Sequence, residues 1–173
     1  GLAWFQGWSD GISTGSTAEY EQNLVNLIKD VRAHWGVPNL PVSIAVSAFG
    51  GFVAPTNGTC FDAAAAVRGC NVNCHVSNHR QCQRNDIVLS QLAVSDPSRH
   101  PGLGKLITME TRAFWRDGEF SPRPVEYHHY FANAEVMWLV GQALASGILK
   151  LQGGIQGCKA SRRCTPSRII IGT

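Results

Sequence analysis

No stretch of this chain offers the ~20 unbroken apolar residues that a membrane-spanning helix needs. Its most apolar segment, Val136 to Leu151, is interrupted by Gln142, Ser146 and Gly147, so no membrane span is expected. Charge is also sparse, with 15 Lys and Arg against 12 Asp and Glu and a formal net charge of +3. The basic residues are scattered except for Lys159, Arg162, Arg163 and Arg168, which read as a solvated tail. A nucleic-acid surface would show denser basic clustering interleaved with aromatics, so no nucleic-acid partner is expected. Internal repeats are missing, and low complexity is confined to Ala63–Ala66, which argues against a solenoid or array. No Gly-x-Ser-x-Gly elbow displays a serine nucleophile: Gly15-Ser16 opens a helix, and Ser47 follows a strand without those flanking glycines.

What is present suffices for a folded domain. With 173 residues, 44% of them hydrophobic, the chain can bury a substantial core and is most simply one domain, residues 1–151, followed by a tail, 152–173. Six cysteines occur at Cys60, Cys70, Cys74, Cys82, Cys158 and Cys164. Four of them crowd a polar segment within about 52–84, where an oxidised extracellular domain would staple a long loop. Spacing makes Cys158 and Cys164 an attractive pair, and the other four allow three pairings that sequence does not separate. The competing reading is a metal site built from Cys70, Cys74, His75, His79 and Cys82. Its Cys-x3-Cys spacing departs from the usual Cys-x2-Cys of zinc sites and leaves Cys60 over, so disulfides are expected and no metal. A glycosylation sequon, Asn57-Gly58-Thr59, precedes the first cysteine and also points to a secreted or cell-surface location.

Hydrophobic periodicity lays out an α/β pattern. Leu2 to Phe5 reads as a buried strand ending at Gly7. Ser16 or Thr17 is expected to cap a helix carrying Tyr20, Leu24, Leu27, Ile28, Val31 and Trp35 at helical spacing, with Gly36 stopping it. Val42 to Phe49 reads as a strand covered on both faces. Phe52 to Arg84 is too long for an ordinary connection, with one helical turn expected over Ala63–Val67. Asn85 or Asp86 is expected to cap a helix over Ile87–Val94 that Pro97 ends, and Leu106–Met109 forms a third strand. Glu110–Pro124 reads as a loop with Trp115 and Phe120 packed beneath it. Val136, Leu139, Val140, Ala143, Leu144, Gly147, Ile148 and Leu151 then trace the apolar stripe of a last helix, ended by Gly153-Gly154. Alternating strands and helices predict a parallel sheet in a three-layer α/β/α sandwich. Three strands make a thin sheet, from which we expect further N-terminal strands outside this chain.

Two motifs carry chemistry. Near the start, Ala3-Trp4-Phe5-Gln6-Gly7-Trp8-Ser9-Asp10 takes an apolar run into a glycine turn, and near the end Glu126-Tyr127-His128-His129-Tyr130 leads into the last helix. Together they resemble the sialate O-acetylesterase-like carbohydrate esterases of the Ser-Gly-Asn-His hydrolase superfamily. The first is similar to that family's Trp-x-Gln-Gly-x-Ser/Asn-Asp block, and the second to its Tyr-His-Tyr block followed by a helix containing Leu-x-Gly. Counting back from Gly141, the resemblance puts the catalytic histidine at His129 rather than His128, with Glu126 where an Asp more often stands. The family's nucleophile, in a Gly-Gln-Ser-Asn or Gly-Asp-Ser turn ahead of the first block, has no counterpart here, and residues 52 to 104 match nothing in particular.

The resemblance implies ester hydrolysis of an acetylated carbohydrate or glycan without a cofactor. His129 would act as base, oriented by Glu126, and the Gly7 N–H would be an oxyanion donor, with Ser9 where the superfamily often uses Asn. Gln6 and Asp10 are the other polar groups of that turn, although such residues commonly cap turns by bonding the local backbone. His129 could alternatively be packed among aromatics. Trp8 suits either a sugar face or the core. We therefore expect the larger fragment of a secreted esterase whose partner is the missing N-terminal part of the same precursor. The alternative is a catalytically silent esterase-like module with a structural or sugar-binding role in an extracellular assembly.

Overall fold

The computed structural model describes residues 1–48, 50–51 and 79–153. The cysteine pairing, the metal alternative, the Asn57 sequon, the turn over Ala63–Val67 and the tail all turn on residues outside that set. Three strands, β1 (Leu2–Trp4), β2 (Val42–Ala45) and β3 (Leu106–Met109), form one parallel sheet in the order β1-β2-β3. Leu2 pairs with Val42 and Trp4 with Ile44, while Val42 pairs with Leu106 and Ala45 with Met109. The expected adjacent, parallel arrangement is what the structure shows.

Among the described residues three helices cover the sheet: α1 (Thr14–His34), α2 (His79–Val94) and α3 (Ala134–Leu151). Alternation along β2 explains the layering, because successive side chains of a strand face opposite ways. Val42, Ile44 and Val46 enter one core with Tyr20, Leu24, Val25 and Ile28 of α1 and Ile87, Val88 and Val94 of α2. Ala45 enters a second core with Val136, Val140 and Leu144 of α3. Fully burying a side chain such as Ile28 or Ile44 is worth about 1.5–3 kcal/mol. Gly147 brings α3 close to β2, since a Cβ there would collide with the Ser43 side chain.

Several boundaries differ from the sequence expectation. Ser13, not Ser16 or Thr17, caps α1: its backbone is extended and its hydroxyl accepts from the Ser16 N–H at 3.3 Å. The Thr17 hydroxyl instead donates to the carbonyls of Asp10 (2.9 Å) and Ser13 (2.8 Å). Gly36, at φ +65, ends α1 as expected, but Trp35 is 55% exposed rather than part of the stripe. α2 begins at His79, so the supposed cap Asn85 is an interior helical position, 3% exposed. β2 is shorter than expected because the Ser47 N–H leaves the ladder for the Gln91 side chain. Phe120 is 69% exposed, not packed beneath its loop.

The buried Arg32 ties α1 to the segments that lead into β2 and β3 through carbonyls rather than a carboxylate. Its guanidinium donates to the carbonyls of Leu40, Lys105 and Leu103. α3, contrary to the sequence expectation, is long and apolar enough by length and composition alone to cross a membrane. One stripe of it, Val136, Val140, Leu144 and Gly147, is buried against the sheet.

Candidate active site

Chain leaving the C-terminal end of a parallel strand opens onto the crevice side of an α/β sheet. After β1 the backbone runs through Phe5, Gln6 and Gly7 into a short 3-10 turn, Asp10–Ile12. Only glycine fits at position 7. A Cβ there would stand 2.7 Å from Ile87 Cγ2, 2.9 Å from Ser47 Oγ and 3.2 Å from Gln91 Nε2. The Gly11 N–H closes the turn onto the Gly7 carbonyl at 3.1 Å. Gln6 Nε2 donates to Asp10 Oδ2 at 2.5 Å, so these two side chains satisfy each other.

The second motif folds into a strained turn before α3. Tyr130, Phe131 and Ala132 lie consecutively in the left-handed region at φ 53, 55 and 55, which costs a residue with a Cβ about 1–2 kcal/mol each. Packing and hydrogen bonds hold the turn in place. The Tyr130 ring meets Phe5 at 5.4 Å and Trp115 at 5.5 Å, and Phe131 meets Trp115 at 5.4 Å. The Tyr130 hydroxyl accepts from the Ala48 N–H at 3.1 Å, and burial pushes that hydroxyl's pKa up to about 12. Asn133 then caps α3, its side chain accepting from the Val136 N–H at 3.2 Å.

The two turns face one cavity of about 280 Å³, lined by Phe5, Gln6, Gly7, Trp8, Ser9 and Ser47 on one side and by His128, His129, Tyr130 and Met137 on the other. His129 is exposed rather than packed in the core. Gln6, Gly7, Ser9 and His129 are thus brought together, whereas Asp10 stands behind Gln6 and Glu126 lies outside the lining. The Glu126 carboxylate accepts from Arg123 Nη1 at 3.1 and 3.2 Å. The His129 ring meets His128 at 4.2 Å between centroids, tilted by 49°. Trp8 carries the Arg84 guanidinium 3.9 Å over its ring and stands 6.0 Å from His128.

Beneath the cavity lies a polar cluster that sequence reasoning missed. Gln91 is 0% exposed. Its Oε1 accepts from the Ser47 N–H at 2.9 Å, which fixes the amide's orientation and turns Nε2 toward the Gln6 carbonyl (2.7 Å), Tyr20 Oη (3.1 Å) and Ser47 Oγ (3.1 Å). Burial raises the pKa of the Tyr20 hydroxyl, which accepts from Trp4 Nε1 at 3.4 Å. The available signal was a glutamine on the buried side of α2, in phase with Ile87, Val88 and Val94.

A parallel sheet whose first and last motifs converge on a crevice at the strand C-termini makes this an α/β protein of the Ser-Gly-Asn-His hydrolase type. The family described as carbohydrate esterase, sialic acid-specific acetylesterase matches residues 1–92, from β1 through the Gly7 turn, α1 and β2 into α2, and the chain belongs to that family. No curated protein and no solved structure matches it.

Proposed function

We propose that this chain supplies the base and the oxyanion turn of a secreted carbohydrate O-acetylesterase. The observation that carries this reading is the shared cavity, with His129 on one wall and the Gly7 turn on the other. Ester hydrolysis by a serine needs a base for the hydroxyl proton and donors for the oxyanion that forms when the acetyl carbonyl is attacked. His129 is exposed to the cavity and can take that proton, and the Gly7 N–H can receive the oxyanion. Trp8, braced by Arg84, presents an aromatic face suited to a sugar ring. The attacking serine comes from the N-terminal part of the same precursor, placed by a strand added at the edge of β1 that is unpaired among the described residues. That edge is suited to it, because β1 is only partly covered and Ala3 is exposed, while β2 is buried at every position.

One observation favours the alternative of a catalytically silent sugar-binding module: Glu126 is engaged by Arg123 rather than by the His129 ring. A histidine base works best when a third group orients it.

Hydrolysis of p-nitrophenyl acetate and of an O-acetylated sialoside separates the two readings. The 173-residue chain should give background turnover, and the chain carrying its upstream segment should turn over and lose that activity on His129→Ala. Turnover by the short chain alone, abolished by His129→Ala, would place the nucleophile within these residues. An inactive longer chain that still binds the sialoside would establish the silent module.

A further inference from the structure

We infer that Tyr20, Ser47 and Gln91 are positioning residues that aim the Gly7 N–H into the cavity, an inference that rests on the esterase reading above. The Gln6 carbonyl oxygen accepts from three side chains at once, Gln91 Nε2 at 2.7 Å, Tyr20 Oη at 2.9 Å and Ser47 Oγ at 3.1 Å. A carbonyl oxygen offers two lone pairs, so this one is fully engaged and its direction is set by groups from α1, α2 and the end of β2. The Gln6–Gly7 peptide is planar and trans. Fixing its C=O toward the buried cluster therefore fixes its N–H the opposite way.

Among the described residues the Gly7 N–H has no acceptor, and Gly7 lines the cavity with Ser9 and His129. Three donors on the carbonyl also polarise the peptide, which strengthens its N–H as a donor. Tyr20 and Ser47 each accept from Gln91 and donate to Gln6, and the Tyr20 oxygen also accepts from Trp4 Nε1, so the cluster links α1, α2 and β1 around the one carbonyl. Oxyanion donors are effective when they are held in place before charge develops, without reorganising at the moment of reaction. A buried amide and two hydroxyls spent on one carbonyl, when the backbone itself could have satisfied it, provide that rigidity.

The test is a titration of the full chain, 15N-labelled at glycine and histidine, with sodium acetate as the probe, followed by 1H–15N NMR. In the wild type the Gly7 amide resonance should move saturably with acetate. Tyr20→Phe and Ser47→Ala each remove one hydroxyl with almost no change in shape, and each should weaken the acetate response at Gly7 by about fivefold. Gln91→Met should weaken it further. The histidine ring and remaining glycine resonances of the two milder variants should keep their wild-type positions, which a general loss of packing would not allow. A wild-type Gly7 response in both Tyr20→Phe and Ser47→Ala would overturn the positioning role while leaving the esterase reading intact. A wild-type chain whose Gly7 resonance ignores acetate would sink the esterase reading of the cavity and this inference with it.

Discussion

The Ala48 N–H donates to the Tyr130 hydroxyl at 3.1 Å across 82 residues of sequence, joining the end of β2 to the left-handed turn that carries His129. The strained backbone of that turn is thereby fixed to the centre of the sheet. Removing the hydroxyl with Tyr130→Phe leaves a part-buried N–H unpaired, and we expect a loss of about 1–3 kcal/mol in urea unfolding. The His128 and His129 resonances should broaden or shift in the same variant.

The same phenol sets an alkaline limit. Its folded pKa, raised to about 12 by burial, lies above the ordinary value of 10.0. Below pH 10 both folded and unfolded states keep the proton, and this group makes stability independent of pH. Between pH 10 and about 12 the unfolded chain loses the proton first, so stability falls as pH rises. The slope reaches at most about 1.4 kcal/mol per pH unit. Tyr130→Phe should show a shallower decline over this window, measured by urea midpoints at each pH. An identical profile in the variant would refute the assignment.

Arg32 offers a test of a buried cation with only carbonyl partners. Arg32→Met should cost about 2–4 kcal/mol, because the Leu40, Leu103 and Lys105 carbonyls lose their donor. Arg32→Lys should recover only part of this, since an ammonium cannot reproduce the planar fork. Thermal or denaturant unfolding of both variants checks the ranking.

Gly147→Ala pits helix propensity against packing. Alanine should favour the helix by up to about 1 kcal/mol, but its Cβ would meet the Ser43 side chain and force α3 off β2, at about 1–3 kcal/mol. We expect net destabilisation, relieved in the double variant Ser43→Gly/Gly147→Ala. A fully additive double variant would show that the contact does not limit helix approach.

Asn133 has two separable roles. Its Oδ1 caps α3 at Val136, while its Nδ2 donates to Ser121 Oγ at 2.9 Å and to the Phe120 carbonyl at 3.3 Å. Asn133→Ala should cost about 1–2 kcal/mol. Asn133→Asp should keep the cap and lose only the loop bonds, giving a smaller loss in the same unfolding measurement.

The sequence by itself determined what short-range periodicity and glycine chemistry can encode. β1 with its Gly7 turn, the buried faces of α1 and α3 and the stop at Gly36 all follow from residues within a few turns of one another, and the parallel strand order follows from the alternation of strands and helices. Even the pairing of the two motifs across the cavity was legible through the resemblance each motif carries. Tertiary structure decided the rest. Asn85 reads locally as a cap, yet burial against α1 and the Asp10–Ile12 turn extends α2 past it. Glu126 is spaced to reach His129, but Arg123, three residues away on the other side, pairs with its carboxylate. The cluster on the Gln6 carbonyl draws Tyr20, Ser47 and Gln91 from sequence separations of 14, 41 and 85 residues. No local pattern encodes such a convergence, because those groups become neighbours only once the hydrophobic faces of α1 and α2 have closed over β2.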